Sequence, residues 1–401
     1  MREWMPEIDP THAYSAIALM VVGGIVAFSV FDESIVEQAK HLFAGEGERQ
    51  EQAAPSDSTS SPWRPAAAES PADSAGLRFV GRWNASGFAS AVAVDGQTVY
   101  RGDWWAVESA DFADLSSPVR RGQVPFANNS TVKDIALSGG YAYVLVNDFN
   151  PNSSLPPNYF RMAVVDVSDP ASPRKIGSFE ARGEPHRLAV AGSHVYIANG
   201  GGYSDSHDID DRSGLWVLDV SDPAHPRKID AYGWRFSEVA VSGERAYLIG
   251  QAAEGDPSRL HVFDTSDPTA LQKEGVLPVD GRPTNVAVAG DYAYVGAREG
   301  LRVFDVSDPV APEQTAAFGT RKPINDVAVD GAHVFVTHEA ASQEAGRLRM
   351  IDASDPAALR LEGTLLLEGY DEYEGVTLKD LTVSAGRAYV ATWRDGLLVA
   401  E

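Results

Sequence analysis

The chain of 401 residues contains no cysteine. Disulfide bonds, cysteine-based zinc sites and thiol catalysis are therefore excluded, and the redox compartment stays undetermined. Lysine is scarce and occurs only at Lys40, Lys133, Lys175, Lys228, Lys273, Lys322 and Lys379. Because 57 acidic residues face 33 basic ones, the formal net charge is −24. So acidic a chain repels nucleic acid and anionic lipid, which argues against partners held through phosphate groups.

Familiar catalytic motifs are missing as well. The sequence contains no glycine-rich phosphate loop, no Gly-x-Ser-x-Gly elbow and no His-Glu-x-x-His pair. What it does contain near its start is an uncharged run of 19 residues, Ala13–Phe31. As a helix this run spans roughly 28 Å, close to the ~30 Å thickness of a hydrocarbon core. We predict an uncleaved single-pass transmembrane helix here; the alternative is an apolar helix buried against a partner.

The segments on either side of this helix differ in composition. Residues 1–12 form a short N-terminal tail, and residues 32–44 continue with apolar side chains at helical spacing, which predicts a short helical extension. From 45 to 75 the chain is rich in Glu, Gln, Ala, Pro and Ser without periodicity, which is typical of a disordered linker. Residues 76–401 consist of repeats.

The clearest repeat is an alternating apolar run that ends at Ser-Asp-Pro. It reads GLRVFDVSDPVAP at Gly300–Pro312, GLWVLDVSDPAHP at Gly214–Pro226 and RMAVVDVSDPASP at Arg161–Pro173. Proline ends each strand, and the aspartate can accept hydrogen bonds within the turn that follows. Because Asp166, Asp219, Asp264, Asp305 and Asp352 recur in every copy, we predict a structural and not a catalytic role for them.

A second repeat precedes the first and has an aromatic residue six positions after an apolar one. Seven pairs follow this rule: Val94 and Tyr100, Leu137 and Tyr143, Val190 and Tyr196, Val241 and Tyr247, Val288 and Tyr294, Val329 and Phe335, and Val383 and Tyr389. A glycine between the members of each pair predicts a tight β-hairpin. With the Ser-Asp-Pro strand and one strand after it, each repeat predicts four strands, and seven repeats predict an all-β, seven-bladed propeller.

These motifs resemble the LVIVD-repeat family, whose repeats build β-propellers. The resemblance implies the fold, says little about activity, and implies a propeller outside the cytoplasm, at the cell surface. The last repeat ends at Glu401 without a fourth strand, whereas a spare strand at Leu77–Trp83 precedes the first repeat. We therefore expect the N-terminal strand to complete the last blade and to protect its edge.

A polar set stands at equivalent positions where the innermost strands begin. Its members are Asp134, Arg187, Glu238, Asn285, Asp326 and Asp380, with Trp234 nearby. The first repeat has Ala91 at this position instead of a polar residue. Such a mixed-charge ring is a candidate binding site for a small polar ligand or a cation at the channel mouth. The alternative is that these residues satisfy strand ends and hold solvent in the channel.

An acidic insertion supplies the other candidate site. Asp205, Asp208 and Asp210 suggest a calcium ion, although their spacing matches no EF-hand and a solvated acidic loop is the alternative. No other cofactor is expected.

Two classes of function remain open. One is a membrane-tethered, non-enzymatic module that binds a protein or a small ligand. The other is a propeller hydrolase or lyase acting on a sugar or small ester at the channel mouth. A deep pocket with two converging carboxylates of shifted pKa would favour the enzyme.

Overall fold

The computed structural model of the protein describes residues 76–83, 88–126, 130–148, 159–200, 213–251, 257–320, 322–338, 346–367, 377–393 and 396–401. The predicted transmembrane helix, the helical extension and the linker lie outside these residues. Within the described ranges, no helix has the length and apolar character needed to span a bilayer.

The described chain forms seven four-stranded antiparallel sheets, as the repeats predict. The first strand, β1 (Phe79–Trp83), belongs to the last sheet. Blade 1 comprises β2 (Ala91–Asp95), β3 (Thr98–Gly102), β4 (Ala106–Asp111) and β5 (Val119–Pro125). Blade 2 comprises β6 (Ser130–Ser138), β7 (Tyr141–Asp148), β8 (Tyr159–Asp166) and β9 (Arg174–Arg182). Blade 3 comprises β10 (Pro185–Ala191), β11 (His194–Gly200), β12 (Ser213–Asp219) and β13 (Arg227–Tyr232).

The remaining blades repeat this order. Blade 4 comprises β14 (Arg235–Ser242), β15 (Arg245–Gln251), β16 (Arg259–Asp264) and β17 (Gln272–Pro278). Blade 5 comprises β18 (Pro283–Ala289), β19 (Tyr292–Ala297), β20 (Gly300–Asp305) and β21 (Glu313–Gly319). Blade 6 comprises β22 (Asp326–Asp330), β23 (His333–His338), β24 (Gly346–Asp352) and β25 (Arg360–Leu367). Blade 7 comprises β26 (Leu378–Ser384), β27 (Arg387–Thr392), β28 (Gly396–Ala400) and β1.

The Ser-Asp-Pro segments form the turns between the third and fourth strands. In the blade 5 copy, Asp305 accepts hydrogen bonds from the backbone N–H and the hydroxyl of Ser307, at 2.9 and 2.6 Å. Asp308 accepts one from the N–H of Val310 at 3.1 Å. These bonds lower the pKa of Asp305. The predicted structural role of the repeated aspartates is thus confirmed.

Several of these turns pack against the preceding blade, where a glycine of the fourth strand makes room for them. A Cβ on Gly177 of blade 2 would lie 2.3 Å from the carbonyl oxygen of Pro223 in blade 3. A Cβ on Gly275 of blade 4 would lie 2.1 Å from that of Pro309 in blade 5. In the fourth strands these glycines are therefore required by close backbone approach.

The core is divided among the contacts between neighbouring blades. Seven apolar clusters fill these contacts, and each draws its side chains from two adjacent blades. Tyr143 of blade 2 lies in the same cluster as Trp216 of blade 3. The seven hairpin aromatics are all buried, with exposed fractions of 4% or less. The repeated aromatic is therefore a packing residue of the blade contacts.

The ring closes where β1 pairs antiparallel with β28. Gly81 aligns with Val399 and Trp83 aligns with Leu397. The closure also holds a buried cation, because the guanidinium of Arg101 in blade 1 lies 4.7 Å from the centre of the Trp83 ring. Arg101 forms a buried ion pair with Glu108 at 2.7 Å. The prediction that Leu77–Trp83 is the outer strand of the last blade is confirmed.

Two truncations test this closure. Deleting residues 1–75 should leave a folded, soluble domain, because the β1 pairing stays intact. Extending the deletion through Asn84 removes β1, exposes the edge of β28 and takes Trp83 away from Arg101. We expect a fall in melting temperature of several degrees or more for the longer deletion, measured by circular dichroism. Equal melting temperatures would contradict the closure.

Candidate functional site

One end of the central channel is lined by the starts of the innermost strands. In five blades the pairing of the first two strands slips just before the polar residue predicted from the sequence. These slips precede Asp134, Arg187, Glu238, Asn285 and Asp380. A bulge re-aims the side chains that follow it. The bulges therefore account for how residues from separate blades meet.

The meeting point is the guanidinium of Arg187, which extends from blade 3. It lies 2.7 Å from Asp380, 3.3 Å from Asp326, 3.5 Å from Glu238 and 3.6 Å from Asp134, measured between side-chain nitrogen and oxygen atoms. We call these five residues the Arg187 cluster. Asn285 joins it by donating to Glu238 at 3.3 Å. The structure thus brings together all six residues that the sequence placed at the channel mouth.

Three of the carboxylates also bind the backbone of the next blade. Asp134 accepts from the N–H of Leu188 at 2.7 Å, and Asp326 accepts from that of Leu381 at 2.9 Å. Asp380 accepts from the N–H of Val92 at 2.8 Å, across the ring closure. These bonds satisfy the ends of the innermost strands and link successive blades. The geometry therefore supports a structural role for this cluster.

Burial and mutual repulsion shift the protonation of the cluster. Burial raises the pKa of Asp134 to about 6 and that of Asp326 to about 7, although the Arg187 charge acts in the opposite direction. Burial raises the pKa of Glu238 well above its ordinary value. Burial alone would lower the pKa of Arg187, but the four carboxylates raise it well above its ordinary value. Because one guanidinium cannot neutralise four carboxylates, the cluster retains protons near neutral pH.

The other predicted site residues have different surroundings. Trp234 is partly buried and packs between blades 3 and 4, with its ring centre 5.2 Å from that of His261. Asp205, Asp208 and Asp210 lie outside the described residues. Among the residues that are described, no set of three or more His, Asp or Glu side chains is arranged to hold a metal ion. Ligand binding by the predicted residues stays a prediction.

An aromatic group lies on the same face. Phe88, Trp104 and Trp393 lie in mutual contact, with ring centres 5.1 to 5.5 Å apart. Trp105 follows Trp104 in the short loop between β3 and β4. Trp104 is 38% exposed and Trp105 is 44% exposed. We call these four residues the aromatic rim. The adjacent tryptophans Trp104 and Trp105 are a signal in the sequence that the repeat pattern alone does not reveal.

A known protein family matches several of the repeats. The LVIVD repeat matches residues 130–150, 158–181, 209–232 and 280–320, which fall within blades 2, 3 and 5. The chain therefore contains LVIVD repeats within a seven-bladed propeller. No curated protein matches this LVIVD-repeat chain.

Two solved structures are similar to the chain at low sequence identity. The crystal structure of the computationally designed Ika8 protein has 11% identity and a TM-score of 0.50, covering 81% of this chain and 99% of Ika8. The crystal structure of BamB from Moraxella catarrhalis has 15% identity and a TM-score of 0.48, covering 82% of this chain and 89% of BamB. At 11% identity, the Ika8 likeness shows the fold alone.

The Arg187 cluster predicts a pH-dependent effect of substitution. Replacing Arg187 with methionine leaves four buried carboxylates without their shared cation, so we expect a loss of about 3–5 kcal/mol in the free energy of unfolding near neutral pH. The matched control is Arg174→Met, which removes an exposed ion pair with Asp166 and should change stability by about 0–1 kcal/mol. Denaturant titration measures both.

The sign of the pH dependence follows from the raised pKa values. Carboxyls with a raised pKa in the folded state favour folding at low pH, and this contribution is lost as the pH rises through the folded-state values of about 6 and 7. Without Arg187 the ionised carboxylates repel one another unopposed. The loss in the free energy of unfolding caused by Arg187→Met should therefore be smaller at about pH 5 than at about pH 8. A deficit that does not change with pH would rule out this electrostatic role.

Proposed function

We propose that the protein is a membrane-tethered, non-enzymatic interaction module whose partner binds the loop face of the propeller around the channel mouth. The observation that carries the proposal is the exposed pair Trp104 and Trp105. Most tryptophan surface is buried in a folded protein, and aromatic side chains are enriched at the centres of interfaces. Two adjacent exposed tryptophans beside the channel mouth fit a docking surface.

The opposite face offers much less to recognise. It carries the glycine hairpins and the Asp-Pro turns, which repeat with little change from blade to blade. Asp166 with Ser168 and Asp305 with Ser307, for example, form the same bonds in blades 2 and 5. The loops on the channel-mouth face differ in length and sequence. Specific recognition is therefore better served by the loop face.

The Arg187 cluster supports this function as a scaffold. It joins side chains from blades 2, 3, 4, 6 and 7 at the axis directly below the loops. Loops that leave a fixed frame lose less conformational freedom on binding.

A hydrolase or lyase is the second candidate, because the converging carboxylates have raised pKa values. Asp326 and Glu238 meet the electrostatic condition for a general acid. Their oxygens, however, contact Arg187, and the Asp326 carboxylate also accepts a backbone hydrogen bond from Leu381. A substrate would have to displace Arg187 before it could reach them. The interaction module accounts for both the cluster and the exposed tryptophans.

Affinity capture with the full-length chain, solubilised in detergent, tests the docking face. Replacing Trp104 and Trp105 with serine should weaken capture of a specific partner by about tenfold or more, as expected when interface anchors are lost. The matched control is Val310→Ser, which changes a 68% exposed apolar residue in an Asp-Pro turn. Should the control abolish capture while the tryptophan variant keeps it, the partner binds the other face.

The membrane tether has its own test. Because Ala13–Phe31 is uncharged and long enough to span a bilayer, the full-length chain should stay with membranes during alkaline carbonate extraction. Residues 76–401 alone should be released. Carbonate release of the full-length chain would contradict the tether. Protease treatment of intact cells tests the proposed location of the propeller outside the cytoplasm, where the propeller should be cleaved.

A further inference from the structure

The aromatic rim is part of a continuous surface that crosses the junction of blades 7, 1 and 2. Backbone hydrogen bonds connect its parts: Trp393 donates to Thr377, and Ala89 donates to Thr392. On the other side, the N–H of Val132 donates to the carbonyl of Asp103, the residue before Trp104. Lys379 lies beside Trp393 at one end of the rim, and Lys133 follows Val132 at the other.

Hydrogen bonds and a ring contact support the loop that carries the exposed tryptophans. Asp103 accepts hydrogen bonds from the N–H groups of Trp105 and Ala106 at 2.8 and 2.7 Å. Phe88 stacks on Trp104 with an interplanar angle of 18°. Trp104 therefore presents its exposed surface from a packed position, which reduces the ordering entropy lost on binding.

Two lysines contribute positive charge beside the rim of this acidic protein. The ammonium of Lys379 lies 4.8 Å from the centre of the Trp393 ring. Partial burial and then the charge of Lys379 lower the pKa of Lys133, while Glu184 opposes the change. Within the described ranges, neither lysine is in an ion pair. Two nearby ammonium groups without a paired carboxylate favour an anionic ligand.

The open shape of the rim and the net charge of the protein limit which kinds of ligand can bind there. Small molecules are bound in concave pockets that enclose most of their surface, whereas Trp104 and Trp105 lie on an open rim. An anionic membrane offers the same charge as an acidic peptide, but the net charge of −24 repels an extended anionic surface. A single polypeptide segment contacts the cationic region and avoids most of the acidic remainder.

We propose that the aromatic rim, together with Lys133 and Lys379, binds an acidic segment of a partner polypeptide that also carries apolar side chains. The inference rests on the proposed function and specifies the chemistry of the partner. Carboxylates of the segment pair with the two lysines, and its apolar side chains cover Trp104 and Trp105.

The test pans a random dodecapeptide library, displayed on phage, against the full-length chain in detergent. We expect selected peptides to combine Asp or Glu with aromatic or large aliphatic residues. A synthetic copy of the selected peptide should bind the Lys133→Glu/Lys379→Glu variant at least about tenfold more weakly, and a copy with lysine in place of its acids should recover affinity for that variant. The matched control is Lys228→Glu, since Lys228 lies 4.5 Å from the Trp216 ring on an outer strand.

Each other outcome overturns the inference. Selected peptides without acidic residues, or unchanged affinity in the double charge reversal, would do so. So would lysine-dependent binding to phosphatidylserine-containing vesicles with no selected peptide. If the serine variant of both tryptophans loses its captured partner but the double charge reversal keeps it, the docking face stands and the acidic chemistry is wrong.

Discussion

A blade of this propeller has two apolar faces, and neither can be buried within the blade itself. Each face needs a neighbour, so the structure is stable only when the ring closes. The seven apolar clusters show the consequence, since every one is shared by two blades. Pairing of β1 with β28 completes the last blade. The last blade then packs against the first through the apolar cluster that contains Trp83, Tyr389 and Phe112.

Closure brings seven strand ends together at the axis, and their N–H groups need acceptors. Carboxylates at the first inner position supply three of these acceptors, as when Asp380 of blade 7 accepts from Val92 of blade 1. Four carboxylates near one axis then repel one another. Arg187 relieves that repulsion with a single planar guanidinium, whose three nitrogens contact different carboxylates. The polar ring that the sequence marks as a candidate binding site therefore also has a structural role in closing the propeller.

The fold was predictable because its signals repeat. The Asp-Pro turns, the hairpin glycines and the aromatic spacing occur in nearly every blade, so an error in one copy is corrected by the others. The strand at Leu77–Trp83 could be assigned because the last repeat lacks a fourth strand. Its Gly81, like Gly177, lies against a neighbouring backbone. Residues that occur once gave no such signal. The buried pair Arg101–Glu108 reads in sequence as two surface charges, and only packing against Trp83 shows otherwise.

The candidate site was predicted in composition but not in its internal arrangement. Asp134, Asp326 and Asp380 could be placed at the channel mouth because they occupy equivalent positions in their repeats. The central position of Arg187 depends on β-bulges, which the spacing of residues in the sequence does not reveal. The distinction matters for function. The Arg187 guanidinium contacts four carboxylates inside the ring. Lys379 lies against Trp393 of the aromatic rim, and among the described residues neither Lys379 nor Lys133 is in an ion pair. A charge in a buried ion pair stabilises the scaffold, whereas a charge outside an ion pair can bind a ligand. The residues that specify a partner are therefore better sought at the rim than at the conspicuous polar ring below it.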